Sequence, residues 1–179
     1  MCVATFSRNF SRSYMDMTQV KEQITALYDF SRFNKIVDIG GGHGELITSI
    51  LRANPQAFGV LFGAEQVISA ARHQIEAAGL ADRCAAIAGD FVKSVPAGGD
   101  LYIINWIVSD RDDERAIQLL RNIRSQIPPD GRVLIVDYVA PEGDETSREF
   151  DQLLAAAGFR FLRVIPTETP TSMVEAEPA

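Results

Sequence analysis

Two cysteines, two histidines and one tryptophan among 179 residues leave few of the side chains that metal sites and covalent catalysis favour. Cys2 and Cys84 form no metal-spaced pair, no metal site is expected, and such sparse cysteine usage suits a reducing, cytoplasmic compartment. Positive charge is also scarce. Seventeen Lys and Arg against 24 Asp and Glu give a net charge of −7, with no Lys/Arg run. Nucleic acid and anionic membrane surfaces both need a basic face, so neither is expected as a partner. The opening residues, MCVATFSRNF, lack the apolar core of a signal peptide, and no stretch approaches the roughly 20 apolar residues of a membrane helix. What is present is a chain that is 46% hydrophobic, long enough for one domain with a substantial core.

Short apolar runs alternate with amphipathic stretches from residue 35 onward. KIVDI (35–39), FGVLF (58–62), LYIIN (101–105) and RVLIVDYV (132–139) are continuous rather than alternating, as strands buried on both faces of a parallel sheet should be. CAAIAG (84–89) is a weaker candidate strand. ELITSILRAN (45–54), QVISAARHQIEAAG (66–79) and ERAIQLLRNIRSQI (114–127) read as helices, the last stopped by Pro128-Pro129. TQVKEQITALYDF (18–30) adds a helix before the first strand. The spacing predicts an α/β, doubly wound, Rossmann-like sheet. After a helix at about 147–157, the runs FRFLRVIPT (159–167) and SMVEAE (172–177) predict a C-terminal hairpin that adds antiparallel pairing. Residues 1–17 read as a loosely held segment and 18–179 as a single domain.

The sharpest local signal is VDIGGGHGEL (37–46), with four glycines between a strand and a helix. Glycines there allow positive φ and bring backbone N–H groups against a ligand at a helix N-terminus. A dinucleotide loop would read G-x-G-x-x-G. Counted from Gly40, the second glycine is Gly42, but the third position holds Glu45. The spacing is instead D-x-G-x-G-x-G, from Asp38 through Gly40, Gly42 and Gly44, which suits a nucleoside carrying an amino acid better than a pyrophosphate.

Together with GVLF (59–62), EAAGLADRC (76–84), AGDFVKSVPAGGDLY (88–102), DRDDERAIQLLRNIRSQIPPDGRVLIVD (110–137) and LLAAAGFRFLRVIPT (153–167), this loop resembles successive blocks of the small-molecule O-methyltransferases. These are the S-adenosylmethionine-dependent family of plant phenolic, hydroxyindole and bacterial polyketide type. The resemblance covers roughly residues 26 to 177. It implies S-adenosyl-L-methionine over Gly40, Gly42 and Gly44 with Asp38 behind them, and Asp90 and Phe91 at the adenine. It also implies a further cofactor contact at Asn105, a small aromatic or polyketide-like acceptor, and a homodimer or partner subunit. Asp90 could equally cap its own loop, with Phe91 a core residue.

Three departures from the family pattern stand out. The aspartate that takes the ribose hydroxyls at the end of the second strand is Gly63 here. Glu65, two residues on, either reaches back to the ribose or is an acid in a helix first turn, where the dipole favours it. The block K-H-x-x-H-D-W-D-D, whose second histidine is the general base, reads Asn105-Trp106-Ile107-Val108-Ser109-Asp110-Arg111-Asp112-Asp113. Ser109 stands at the base position with no pKa in range for that task. Asp110 is the nearest alternative base or the N-cap of the next helix, and Asp137 matches a carboxylate that orients the histidine. The third departure is length. Family members usually carry an N-terminal dimerisation domain that lines the acceptor pocket, and extra helix between the fifth strand and the last helix. This sequence runs from APEGDE (140–145) almost directly to SREFDQLLAAAG (147–158). Asp144 matches another family acid only loosely. The resemblance and its departures together imply an S-adenosylmethionine-dependent O-methyltransferase, or a non-catalytic relative that binds cofactor or a protein partner. A nicotinamide-dependent oxidoreductase fits less well on both glycine spacing and ribose acid.

Overall fold

The computed structural model describes residues 17–109, 111–139 and 145–179. The N-terminal segment through residue 16, Asp110 and Asp144 therefore lie outside the described residues. The strands are β1 (Lys35–Ile39), β2 (Phe58–Gly63), β3 (Cys84–Ala88), β4 (Leu101–Asn105), β5 (Arg132–Asp137), β6 (Phe159–Pro166) and β7 (Ser172–Pro178). The helices are α1 (Met17–Leu27), α2 (Glu45–Ala53), α3 (Glu65–Ala77), α4 (Asp113–Arg124) and α5 (Glu145–Ala156). One seven-stranded sheet runs in the order β3-β2-β1-β4-β5-β7-β6. The first five strands are parallel, and β7 lies antiparallel between β5 and β6. The expected doubly wound sheet with a terminal antiparallel hairpin is the architecture observed.

The strand alternation feeds two cores. Val37, Ile39, Tyr102, Ile104, Val133 and Ile135 face α4 and α5, while Ile36, Leu61, Leu101, Ile103 and Leu134 face α1, α2 and α3. This is why the central strands read as unbroken apolar runs. No helix is long and apolar enough to cross a membrane among the described residues.

Helix α4 ends at Arg124 with Ser125 as its C-cap, before the expected residue 127. Two other elements stop early where a carboxylate takes over backbone donors. Helix α1 ends at Leu27 rather than residue 30, and Asp29 then accepts from the N–H and hydroxyl of Ser31 at 3.0 and 2.6 Å. Strand β5 ends at Asp137, whose Oδ1 accepts from Tyr138 N–H at 2.8 Å and whose Oδ2 accepts from Ser109 N–H at 3.0 Å. That second bond ties the β4 exit to the β5 exit. Strand order reverses between β1 and β4, and open α/β sheets form ligand crevices at such a point, outside the carboxyl ends of the strands.

Candidate active site

The glycine loop leaves β1 at this crevice. Gly40 N–H donates to Phe62 O at 2.7 Å, so the loop is pinned to the end of β2. A Cβ at Gly40 would collide with Ile107 Cδ1, and one at Gly41 with the Asp38 carboxylate. Gly42 differs: nothing lies within 4 Å of where its Cβ would be, and its φ of +58° is what calls for glycine. Gly44 then serves as the N-cap of α2. Steric closure on one side and open space on the other leave a bare backbone surface facing the crevice.

Two hollows of about 240 and 440 Å³ meet over the loop, both lined by Gly40, Gly41, Gly42, Asn105 and Trp106. The smaller continues past Phe62, Gly63 and Ala64 to Phe91 and Arg111. The larger continues past His43 and Leu46 to Lys21. Trp106 forms the turn between them with a φ of +54°, a conformation costing roughly 1–3 kcal/mol in a non-glycine residue. Its N–H donates to Val136 O at 2.9 Å, and its ring stacks on Tyr138 with centroids 5.9 Å apart. These contacts hold the strained turn in place.

Asp38 lies under the loop, fully buried, and neither carboxylate oxygen has a hydrogen-bond partner among the described residues. Burial pushes its pKa up to about 7. Asn105 Oδ1 is likewise buried without a partner among the described residues and belongs to both hollows. Phe91 lines the smaller hollow, on a turn held to α4 by Asn122 Nδ2, which donates to Phe91 O at 2.9 Å and Val92 O at 2.8 Å.

Other expected residues sit differently. Glu65 lines neither hollow. It occupies the first turn of α3, 64% exposed, 3.6 Å from Arg72, so the helix-dipole reading holds for its position. Asp90 faces its own turn, accepting from Val92 N–H at 3.0 Å with Lys93 at 3.8 Å, so it is placed as a loop cap. Ser109 is buried and lines neither hollow, its N–H given to Asp137. The N-cap of α4 is Asp112, accepting from Arg115 N–H at 2.9 Å, and Asp110 lies outside the described residues. Trp106 and Arg111 line the crevice but were not singled out from the sequence. The signal for Arg111 was available, since it stands where the family block has tryptophan.

The O-methyltransferase domain model matches residues 3–160, and the chain belongs to that family. It is 42% identical over 180 residues to phenazine O-methyltransferase PhzM of Lysobacter antibioticus, covering 89% of this chain and 53% of that protein. The crystal structure of LaPhzM superposes with a TM-score of 0.84 at 39% identity, over 98% of this chain and 56% of that one. The O-methyltransferase NcsB1 from neocarzinostatin biosynthesis was solved with S-adenosylmethionine and 2-hydroxy-5-methyl naphthoic acid. It gives a TM-score of 0.82 at 27% identity, over 88% of this chain and 53% of that one. The chain thus spans about half the length of the curated relatives it matches.

Proposed function

We propose that this domain binds S-adenosyl-L-methionine across Gly40–Gly44 and serves methyl transfer to an oxygen of a small aromatic or polyketide-like acceptor. The observation that carries the reading is the glycine loop: bare backbone opening on a crevice that also has an aromatic wall and an Asn105 Oδ1 without a partner among the described residues. The fit is good at the loop and at Phe91, and poorer at the ribose, where Gly63 supplies no carboxylate. When bound, the cofactor supplies a sulfonium-activated methyl group. The chain's own part is to hold acceptor and methyl donor in line, and proximity of that kind accounts for several kcal/mol of a barrier.

Proton removal is the weak side of the site. Ser109 offers no base, and Asp137 is a positioning residue that fixes the 106–109 turn through the Ser109 N–H. Asp110 is the carboxylate we assign to proton removal. A missing histidine base costs about 10²–10⁴-fold on a neutral hydroxyl. An acceptor already ionised at the working pH, such as an acidic phenol or a carboxylate, avoids that cost. The buried free thiol of Cys84 accords with a cytoplasmic setting, and a second chain or partner subunit would complete the acceptor side.

The test is transfer of isotopically labelled methyl to a panel of phenols of graded acidity, with Ser109→Ala alongside. Acidic phenols should be labelled fastest, the rate should rise with pH up to each acceptor's own pKa, and Ser109→Ala should stay within about twofold of wild type. Cofactor binding with no labelled product from any acceptor would favour the non-catalytic reading that the changes at Gly63 and Ser109 also support.

A further inference from the structure

The sheet ends differently at its two edges. At one edge β6 carries Arg160 and Arg163, paired with Glu177 and Glu175, and a bulge between Phe161 and Arg163. Charged side chains and bulges keep an exposed strand from pairing with another molecule. At the other edge β3 reads Cys84-Ala85-Ala86-Ile87-Ala88, without charge or proline, and β2 is its one strand neighbour among the described residues. The ladder fixes which backbone groups look outward. Gly59 N–H donates to Arg83 O at 2.7 Å and Gly89 N–H to Gly63 O at 2.9 Å, so residues 83 and 89 address β2. Peptide groups alternate sides along a strand, so Cys84, Ala86 and Ala88 turn theirs away from it. Cys84 N–H is taken by Leu80 O at 2.8 Å. The N–H groups of Ala86 and Ala88 and the carbonyls of Cys84, Ala86 and Ala88 face out.

Side chains follow the same alternation. Ala86 and Ala88 pack on the core under α1, α2 and α3, whereas Ala85 and Ile87 stand beside Val60 and Phe62 on the other face. That face lacks a covering helix here, because the β3–β4 connection, residues 89–100, contains only turns, unlike the crossovers through α2, α3 and α4. Ile87 and Phe58 are accordingly 41% and 55% exposed. We propose that β3 is an interface between two copies of this chain, which pair antiparallel about Ala86 and join their sheets. A second copy is the occupant because this edge complements itself. About Ala86, the N–H groups of Ala86 and Ala88 in each copy donate to Ala86 O and Cys84 O of the other. The small Ala85 then lies opposite the larger Ile87, a favourable cross-strand pair. At each end the exposed Asp82 lies opposite Asp90, whose partner Lys93, 3.8 Å away and 83% exposed, is free to sit between the two carboxylates. The arrangement is two-fold and closes at a dimer. A five-residue strand makes a small interface, so the dimer is weak and reversible, with a dissociation constant on the order of 10–100 μM.

The experiment is sedimentation equilibrium of the purified chain from about 5 to 500 μM, with thermal unfolding run on each protein. Wild type is compared with Ile87→Lys, Ala86→Pro and Leu27→Lys, the last at an exposed apolar side chain outside β3. Wild type should pass from monomer to dimer over that range. Ile87→Lys and Ala86→Pro should each raise the dissociation constant at least about tenfold, the first by charging the edge and the second by removing an outward N–H. Leu27→Lys should leave it unchanged. Ile87→Lys alters a half-exposed side chain and keeps the fold even where proline disturbs the strand. Lys93→Glu should weaken the dimer, and Asp82→Lys added to it should restore the dimer through the exchanged charges. No restoration would overturn pairing about Ala86. A chain that stays monomeric at about 500 μM, a dimer indifferent to the β3 variants, or one that Leu27→Lys weakens equally would overturn the proposal.

Discussion

Gly63 is the residue at which the crevice departs most from its family, and the backbone there has room for a remedy. A Cβ at Gly63 would meet Ile68 Cδ1 at 3.8 Å and Gly40 Cα at 4.0 Å, ordinary van der Waals contacts, and the residue has no positive φ. Gly63→Asp should therefore fold and place a carboxylate in the crevice. One or two charge-assisted hydrogen bonds to the ribose contribute roughly 1.5–3 kcal/mol each, so S-adenosylhomocysteine should bind at least about tenfold tighter by calorimetry, and unchanged affinity would mean that the ribose does not lie beside β2. Asp38 provides a second test at this scale. Its pKa of about 7 in the fold lies above the ordinary carboxylate value because it is buried. The folded chain therefore binds more protons than the unfolded chain, and stability falls as pH rises through the window between the two values. Between pH 5 and pH 8 the loss attributable to Asp38 is about 3 kcal/mol, and Asp38→Asn should abolish it in urea unfolding. An equal pH dependence in the variant would contradict the assignment. The glycine loop itself was legible because bare backbone has a sequence signature. The place of Arg111 in the crevice was hidden, because it depends on a turn with positive φ at Trp106 and on Phe91, far away in the chain.

At the scale of elements, a buried carboxylate ties the C-terminal hairpin to the segment between α1 and β1. Glu175 on β7 is buried and accepts from Tyr28 Oη at 2.8 Å, Arg32 Nη2 at 2.5 Å and Arg163 Nε at 2.8 Å. Arg32 also covers the rings of Tyr28 and Phe33, which stack with centroids 6.1 Å apart. Burial alone would raise the Glu175 pKa, but the hydrogen bonds from Tyr28 and Arg163 and the charges of Arg163 and Arg32 hold it below the ordinary value. Its contribution is present above the unfolded carboxylate pKa and is lost as pH falls through the lower folded one. Glu175→Ala should destabilise the fold by about 1–3 kcal/mol at neutral pH, since it strands the buried Tyr28 hydroxyl while the half-exposed Arg32 and Arg163 turn to water, and a change below about 0.5 kcal/mol would contradict this account. Two apolar runs separated by a short Thr/Pro turn made both strands of the hairpin legible, and β7 is buried continuously from Ser172 to Ala176 beside β5. The Glu175 cluster was hidden, because it joins residues more than 140 positions apart. The early ends of α1 and β5 were hidden for a related reason: Asp29 and Asp137 act through local backbone bonds that an apolar pattern does not record.

At the scale of the molecule, the glycine loop and the two hollows over it sit in a chain that spans about half the length of the relatives it matches. Fold and cofactor region follow from the sheet's own topology, so they are legible in the strand–helix alternation and the loop between β1 and α2. The acceptor's identity does not, because it depends on individual side chains rather than on topology. The central claim is that Gly40–Gly44 holds S-adenosylmethionine, and equilibrium titration of the purified chain with S-adenosylmethionine and S-adenosylhomocysteine tests it most directly. The account predicts saturable one-to-one binding of both ligands. No heat and no thermal stabilisation by either ligand at millimolar concentration would contradict it.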